Sequence, residues 1–410
     1  MTETQAIIDS YRRAAAGNAR AALATVVRVE GSAYRRPGAR MLFTEKGERT
    51  GVLSGGCLER DVCERAAKVI ETGRPVVVRY DTTSDDDIVW GLGLGCNGVI
   101  NVLIEPASDA RLDDLMRLLA ECSEGGRRVA LATVIHRDGE AEASIGARAL
   151  RYPDGTKAPG PFLSGAEVFP TAGVFRDLED AMRSGVSTIK RYESGAGSVE
   201  AFVEVVEPQA PLLVFGDGDD ALPVVALARA LGWHTTVVDT RARPDSAERF
   251  AGADVVAPCR PEEVCERVPF TERTAAVLMT HNYMHDLELL RALLNRRVRY
   301  IGCVGPRRRA ERLLSELAGG DAALAADYLN RLHAPAGLDI GAETPAEIAF
   351  SIVAEIKAVL TGREGGPLRN RRGSIHTQPH EQSMGAGRDS LPEGRRWTAH
   401  HDFLAVRVLR

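Results

Sequence analysis

Long hydrophobic runs and an excess of positive charge are both missing from this sequence. No apolar run approaches the roughly 18 residues that a membrane helix needs, and residues 1–20 lack the charged-then-apolar layout of a signal peptide. The formal net charge of -5 over 410 residues is not the basic balance that nucleic-acid binding requires. We therefore expect a cytoplasmic protein with neither a membrane nor a nucleic acid as its partner.

Cysteine is scarce, and its spacing excludes several kinds of site. The chain has seven cysteines, an odd number, and none of them forms a Cys-x-x-Cys pair. This pattern fits a reducing compartment and excludes a disulfide framework and an obvious zinc or iron–sulfur site. The sequence has no serine–histidine–aspartate order and no paired carboxylates spaced for hydrolysis. We therefore assign no catalytic residue.

An internal repeat runs through the first half of the chain. Segments of identical sequence recur in one order, which chance similarity would not preserve. The matches are Ala22-Leu-Ala-Thr-Val26 with Ala130-Leu-Ala-Thr-Val134, Gly38-Ala-Arg40 with Gly146-Ala-Arg148, Leu53-Ser-Gly55 with Leu163-Ser-Gly165, Arg79-Tyr80 with Arg191-Tyr192, and Glu105-Pro106 with Glu207-Pro208. We interpret residues 1–209 as an N-terminal domain of a duplicated α+β unit, about 1–106 and 128–208.

Residues suited to chemistry occur only in the first copy of the repeat. Cys57 follows a serine and two glycines and precedes a segment that looks helical, a position at a helix N-terminus that favours a thiolate. Cys96 lies in a second glycine-rich loop, and two soft thiolates suit soft-metal chemistry. Cysteines and glycines that serve only packing are the alternative. The candidate residues are Ser54, Gly55, Gly56, Cys57, Gly95 and Cys96, with Cys57 and Cys96 as metal ligands.

After Pro211 the pattern changes to strands that alternate with helices. Strands are expected at 212–215, 235–238, 254–256, 275–279 and 299–303, and helices at 221–231, at 286–295 and after Pro306. This alternation predicts an α/β domain with a doubly wound parallel sheet, and we assign it to residues 210–364. Thr344-Pro-Ala-Glu347 is a capping box that begins the last helix. Residues 365–410 are expected to form a flexible tail.

A glycine motif opens the second half. Gly216-x-Gly218-x-x-Ala221 follows a strand, begins a helix and precedes Asp239 at the end of the next strand. In a dinucleotide site such glycines let the backbone approach a pyrophosphate, and the carboxylate takes ribose hydroxyls. Aspartates at 217, 219 and 220 crowd the phosphate position and count against a simple NAD site. An NAD(P) site, a site for another nucleotide-like or pterin ligand, and a structural turn all remain open.

Further candidate residues follow two later strands. Thr280 and His281 end one strand, and Gly305, Arg307 and Arg308 lie between the next strand and a helix. Glycine amides and guanidinium groups at a helix start bind phosphate or carboxylate, although a solvated arginine face has the same pattern. Because ligands of doubly wound sheets bind at the carboxyl ends of the strands, we expect these residues to share one edge with Gly216 and Asp239.

Several segments resemble the XdhC/CoxI family. In the first half they are Gly31-Ser-Ala-Tyr-Arg-Arg-Pro-Gly-Ala-Arg-Met41, Gly51-Val-Leu-Ser-Gly-Gly-Cys-Leu-Glu59 and Gly93-Leu-Gly-Cys-Asn-Gly98. In the second half they are Val214-Phe-Gly-Asp-Gly-Asp-Asp-Ala221, Tyr300-Ile-Gly-Cys-Val-Gly-Pro-Arg-Arg-Arg309 and His333-Ala-Pro-Ala-Gly-Leu-Asp-Ile-Gly-Ala-Glu-Thr-Pro-Ala-Glu-Ile348. The resemblance spans nearly the whole chain before the tail.

The resemblance implies an accessory factor rather than a dehydrogenase. It implies binding, protection and insertion of the molybdenum cofactor for a xanthine dehydrogenase-type molybdenum hydroxylase, with a cysteine desulfurase as a second partner and a homodimer as the assembly. We expect the thiol loops to face the molybdenum end of the cofactor, and the glycine and arginine edge to hold its phosphate or attached nucleotide. The alternatives are an NAD(P)-dependent oxidoreductase and a non-catalytic nucleotide-binding scaffold.

Overall fold

The computed structural model describes residues 2–56, 58–81, 98–153 and 171–371. We call residues 2–209 the front half and residues 210–371 the rear half. The front half contains α1 Glu3–Ala16, β1 Ala21–Gly31, β2 Arg40–Thr44, β3 Arg49–Gly51, α2 Glu59–Thr72, β4 Val76–Asp81, β5 Gly98–Pro106, α3 Ala110–Gly125, β6 Val129–Glu140, β7 Arg148–Arg151, α4 Thr171–Ser184, β8 Thr188–Ser194 and β9 Ala196–Val206.

The front half forms two antiparallel sheets with the same register. Their strand orders are β3-β2-β1-β5-β4 and β7-β6-β9-β8. Leu23 pairs with Glu105 in the first sheet, and Leu131 pairs with Glu204 in the second. The register thus aligns Glu105 with Glu204. The alignment of Glu105 with Glu207 from the shared Glu-Pro dipeptide was wrong, because Glu207 lies three residues beyond Glu204, the true equivalent of Glu105.

The two copies pack against each other through a small core and two ion pairs. Val27, Leu103, Ile135 and Phe202 form that core. In addition, an arginine of each copy pairs with a glutamate of the other: Arg148 with Glu105, and Arg40 with Glu204. All four charged side chains are nearly or fully buried. The copies are therefore related by an approximate two-fold arrangement.

The rear half contains one parallel sheet with helices on both faces. Its elements are β10 Pro211–Phe215, α5 Ala221–Ala230, β11 His234–Asp239, α6 Ser246–Arg249, β12 Val255–Pro258, a 3-10 turn Pro261–Glu263, α7 Val264–Arg267, β13 Ala275–Leu278, α8 Tyr283–Leu294, β14 Tyr300–Cys303, α9 Arg307–Leu317, α10 Ala322–Arg331, β15 Leu332–His333, α11 Pro345–Leu360 and a 3-10 turn Leu368–Asn370. The strand order β12-β11-β10-β13-β14-β15 is that of a doubly wound fold, which confirms the predicted class.

Alternate residues of β10, a central strand, pack on opposite faces of this sheet. Leu212 and Val214 pack with helices α5 and α11, whereas Leu213 and Phe215 pack with α8 and α9. A strand buried on both faces reads as a continuous apolar run, which is why its sequence predicted it. Helix α11 begins at the predicted capping box, in which the side chains of Thr344 and Glu347 each accept a backbone N–H.

The chain that follows α11 continues to Arg371 in the described residues. Most of the tail that the sequence predicts to be flexible, residues 372–410, lies outside them. Among the helices of the described ranges, none combines the length and apolar character needed to cross a membrane.

Candidate functional site

The candidate site lies at the carboxyl edge of the parallel sheet, where β10, β11, β13 and β14 end. We use "carboxyl edge" for the residues that directly follow these strands, at 216–220, 239–243, 279–286 and 304–309. Adjacent parallel strands place these segments side by side, as expected for a doubly wound sheet.

Gly216 brings the first loop against the neighbouring strand. Its φ is +139°, and a Cβ atom at this position would lie 2.4 Å from the carbonyl oxygen of Met279. This backbone region is essentially open only to glycine. The Gly216 amide also donates to the carbonyl of Val238 (3.1 Å), so the turn is tied to the ends of both flanking strands.

Asp217 is buried under two arginines of the loop after β11. Its Oδ1 lies 3.6 Å from Nε of Arg241, and its Oδ2 lies 3.2 Å from Nη1 of Arg243. These are ion-pair distances, but Oδ2 has no hydrogen-bond partner among the described residues. The buried carboxylate is therefore balanced by charge rather than held by directed hydrogen bonds.

The other two acidic side chains of this loop are paired as well. Asp219 Oδ1 lies 2.6 Å from Nη2 of Arg249, whose Nη1 also donates to the carbonyl of Asp217. Asp220 Oδ2 lies 2.8 Å from Nε2 of His281. Arginines thus offset the charges of Asp217 and Asp219, which counted against an anionic ligand in the sequence, and Asp220 is hydrogen-bonded to the His281 imidazole.

Asp239 organises the loop that carries the arginines. Its fully buried carboxylate accepts hydrogen bonds from the amides of Arg241 (2.8 Å) and Arg243 (2.6 Å) and from the hydroxyl of Ser246 (2.6 Å). Burial alone raises the pKa of this carboxyl, but the hydrogen bond from Ser246 and those from the loop amides outweigh it and lower the pKa. A ribose hydroxyl at this position would have to replace one of these donors.

Thr280 belongs to a second buried network. Its hydroxyl donates to Oδ1 of Asp286 (2.5 Å), and Arg309 donates to Oδ2 of the same carboxylate (2.7 Å). Asp286 lies inside α8 because the side chain of Asn282 caps the helix earlier than the sequence suggested. This network links the ends of β13 and β14 through side chains.

Helix α9 begins at the same edge with exposed positive charge. Gly305 has a φ of +129°, and Pro306 is the N-cap residue without a side-chain cap. The first backbone hydrogen bond of this helix runs from the Arg309 amide to the Pro306 carbonyl (2.9 Å), so the amides at the first two helical positions precede the hydrogen-bonded part of the helix. Arg307 is half-exposed and pairs with Glu311 (2.8 Å), and Arg308 is exposed. Amides and guanidinium groups together make this helix start suitable for an anion.

In the front half, Ser54 and Glu59 close the loop that contains Cys57. The Ser54 amide and hydroxyl donate to the Glu59 carboxylate, and the Ser54 oxygen accepts the amides of Gly56 (3.3 Å) and Leu58 (3.1 Å). Burial raises the pKa of Glu59, but the hydrogen bonds from Ser54 outweigh it and lower the pKa. Cys57 itself lies outside the described residues.

The glycines of this loop are exposed. A Cβ atom on Gly55 or Gly56 would meet no atom of the described residues within 4 Å, so close packing against these residues does not require glycine at either position. Gly56 has a φ of +107°, and there the backbone conformation favours glycine.

Gly95 and Cys96 also lie outside the described residues. Gly98 directly follows their loop and pairs with Gly31, and a Cβ atom on it would lie 2.3 Å from the carbonyl oxygen of Ser32. Gly98, a near neighbour of Cys96 in the chain, therefore adjoins the turn after β1. Leu58 shares a core cluster with Ala33 of the same turn.

The front half contacts the opposite, amino edge of the rear sheet. Thr2 packs so closely on Gly232 that a Cβ atom there would lie 2.4 Å from its methyl group, and Gly232 precedes β11. Arg273, which precedes β13, pairs with Glu207 (2.9 Å). The strands β10 and β11, of five and six residues, separate the two edges by about 17–20 Å. These contacts therefore join the halves away from the carboxyl edge.

The structure adds residues that sequence reasoning missed. Arg241, Arg243 and Arg249 lie against the glycine motif, and the sequence placed no function on them. The sequence did contain a signal, since arginines occupy the second and fourth positions after Asp239, which ends a strand. Among the described residues, no group of three or more His, Cys, Asp or Glu side chains is arranged to hold a metal ion.

Comparison with known proteins identifies the family. Residues 212–356 match the family model described as the XdhC Rossmann domain, and residues 14–81 and 122–193 match that of the XdhC and CoxI family. The chain belongs to the XdhC and CoxI family. This confirms the resemblance carried by the sequence motifs.

Relatives in this family carry different names. The chain is 34% identical over 336 residues to a probable xanthine dehydrogenase subunit of Bacillus subtilis (strain 168), covering 82% of this chain and 92% of the relative. It is 24% identical over 345 residues to the molybdenum cofactor insertion chaperone PaoD of Escherichia coli (strain K12), covering 84% and 85%. A crystal structure of a xanthine dehydrogenase from Bacillus halodurans is similar, with a TM-score of 0.66 and 30% identity, covering 89% of this chain and 97% of that one.

Proposed function

We propose that this chain binds the molybdenum cofactor and inserts it into a molybdenum hydroxylase of the xanthine dehydrogenase type. The carboxyl edge of the rear sheet carries the proposal, because it combines a glycine turn, an uncapped helix start and several guanidinium groups. Such donors fit an anionic phosphate. The relative in Escherichia coli is named as a chaperone for insertion of this cofactor.

The residues present fit the phosphate end of the cofactor. In this proposal Gly216, Gly218 and Gly305 let the backbone approach the ligand, while Arg307 and Arg308 contact its phosphate. Thr280 and Asp239 are buried, so we assign them to positioning the loops around the ligand. His281 is more than half exposed and lies at the mouth of the site. The cofactor would supply the metal and sulfur chemistry of the client enzyme.

In the same proposal the front half acts on the molybdenum end, although the contacts that join it to the rear half, Thr2 with Gly232 and Glu207 with Arg273, lie at the amino edge of the sheet. Ser54, Gly55, Gly56, Cys57, Gly95 and Cys96 form the proposed thiol site, with Cys57 and Cys96 as ligands. The hydrogen bonds between Ser54 and Glu59 favour this role, because they fix the two ends of the exposed loop around Cys57. We further propose domains at 1–209 and 210–364, a cytoplasmic homodimer, and a cysteine desulfurase as the partner that supplies sulfur.

An NAD(P)-dependent oxidoreductase is the second candidate, favoured by the Rossmann-type rear half and by relatives named as xanthine dehydrogenases. The buried, fully engaged Asp239 weighs against it, since the ribose would have to compete with three internal donors. A nucleotide-binding scaffold without chemistry is the remaining alternative.

Fluorescence titration of the purified chain with molybdopterin, a nucleoside diphosphate and NAD tests the proposal. We expect saturable binding of molybdopterin that is at least about tenfold tighter than binding of NAD. Tighter binding of NAD, or nicotinamide-dependent turnover, would contradict the proposal. Gel filtration of the wild type tests the homodimer. The thiol site is tested separately, by comparing how far the wild type and Cys57→Ala activate a cofactor-free client enzyme.

A further inference from the structure

We infer that Arg241 and Arg243 form an anion subsite for a ligand phosphate, and that the Asp217 carboxylate occupies its inner side as an internal counterion. The inference deepens the proposed function and rests on it for the location of the ligand. The sequence suggested no role for Arg241 and Arg243, and it counted Asp217 against the binding of a phosphate.

Each of the two guanidinium groups has one side against the buried Asp217 carboxylate and another side that is open to solvent. Asp217 is 2% exposed, whereas the side chains of Arg241 and Arg243 are 47% and 44% exposed. Both arginines therefore contact a carboxylate from within and solvent from without. Two adjacent guanidinium groups that face solvent can each present a pair of N–H donors to one phosphate.

The backbone of the subsite is fixed before any ligand arrives. Asp239 accepts the amides of both arginines, and the Arg241 side chain donates to the carbonyl of Thr280 (3.2 Å). The loop is thereby held between β11 and β13, beside Gly216. A phosphate at the glycine turn would meet guanidinium groups that need little reordering, which reduces the entropic cost of binding.

The contacts of Asp217 with the two arginines are longer and less directed than those of a buried ion pair that serves only stability. Its contacts to the arginines are 3.6 and 3.2 Å, and its Oδ2 is buried without a hydrogen bond. By contrast, the buried Asp286 carboxylate receives directed hydrogen bonds on both oxygens. We infer that Asp217 offsets one of the two positive charges and leaves the solvent-facing donors of the arginines available. Its negative charge would also lower the affinity of the subsite for phosphate, so that a bound ligand can be released.

The test uses inorganic pyrophosphate as the probe, measured by calorimetry on the full chain at low ionic strength. Asp217→Asn retains the shape of the side chain and removes its charge. We expect it to bind pyrophosphate about tenfold more tightly than wild type, because one like charge is removed from close range. Unchanged or weaker binding would overturn the counterion role.

Arg243→Gln provides the second arm, because this side chain is half-exposed and Asp217 keeps Arg241 as an ion partner in the variant. Circular dichroism checks that the variant is folded before its affinity is compared with that of the wild type. We expect pyrophosphate affinity to fall about tenfold. Wild-type affinity in this variant overturns the subsite, even if Asp217→Asn does not fold.

Matched controls are Asp138→Asn and Arg191→Gln, which remove the same charges from an exposed ion pair of 3.1 Å in the front half. Both should bind pyrophosphate as wild type does, and a change equal to that of the site variants overturns the subsite. Molybdopterin titration separates the two proposals. If pyrophosphate binding responds as expected but molybdopterin does not bind, the cofactor is wrong and the subsite stands.

Discussion

Nη2 of Arg148, in the second copy of the repeat, lies 2.5 Å from Oε2 of Glu105 in the first copy, and both side chains are almost completely buried. Arg40 and Glu204 form the equivalent pair, with the roles of the two copies exchanged. A buried charge that loses its partner is strongly destabilising. The two pairs therefore hold the copies in register as well as in contact.

Arg148→Ala is expected to lower the free energy of unfolding by about 3–5 kcal/mol, because Glu105 is left buried and unpaired. Arg40→Ala should have a similar effect through Glu204. Urea unfolding followed by circular dichroism measures both. The control is Arg191→Ala, whose exposed pair with Asp138 should contribute less than about 1 kcal/mol. A cost for Arg148→Ala no larger than that of this control would contradict the assignment.

Asp239→Asn is expected to destabilise the protein by about 2–3 kcal/mol at neutral pH, since the charged acceptor of three hydrogen bonds is lost. The pKa of Asp239 is lowered in the folded state. Its stabilisation is therefore complete above the ordinary aspartate pKa of about 4 and is lost as the pH falls through the folded-state pKa.

The difference between wild type and Asp239→Asn should consequently shrink below about pH 4. Urea unfolding of both proteins across a series of pH values measures it. A difference that stays constant or grows on acidification would show that the Asp239 charge does not stabilise the loop.

Gly216→Ala is expected to destabilise the fold by about 2–5 kcal/mol, because the new Cβ atom meets the Met279 carbonyl and the φ of +139° is unfavourable for alanine. Pyrophosphate binding should weaken as well. Gly125→Ala is the matched control: a Cβ atom there meets no atom within 4 Å, and the residue ends helix α3. It should be neutral or stabilise by up to about 1 kcal/mol. Equal thermal stability of the two variants would refute the close approach at Gly216.

Much of the rear half follows from local signals in the sequence. The apolar run of β10 and the glycine after it predicted the strand and turn, and the capping box at Thr344 predicted the start of α11. These signals are short-range, because they reflect backbone conformation and burial at neighbouring residues. The grouping of Gly216, Asp239, Thr280 and Gly305 at one edge followed from the parallel topology.

The contacts between distant residues could not be predicted in the same way. Arg243 is far from Asp217 in sequence, and only the packing of β11 beside β10 brings their charges together. The aspartates therefore suggested repulsion of an anion, although the structure pairs them with basic groups. The attachment of the front half to the amino edge depends on surface complementarity at Thr2 and Gly232, which leaves no periodic pattern.

The carboxyl edge of the rear sheet, in our proposal, holds the anionic end of the molybdenum cofactor. The most direct test is the molybdenum and pterin content of the chain purified anaerobically from a host that makes the cofactor. We expect bound pterin in the wild type, several-fold less in a folded Arg307→Gln and Arg308→Gln double variant, and no loss in Arg191→Gln. Absence of pterin from the wild type, or equal pterin in the double variant, would contradict the proposal.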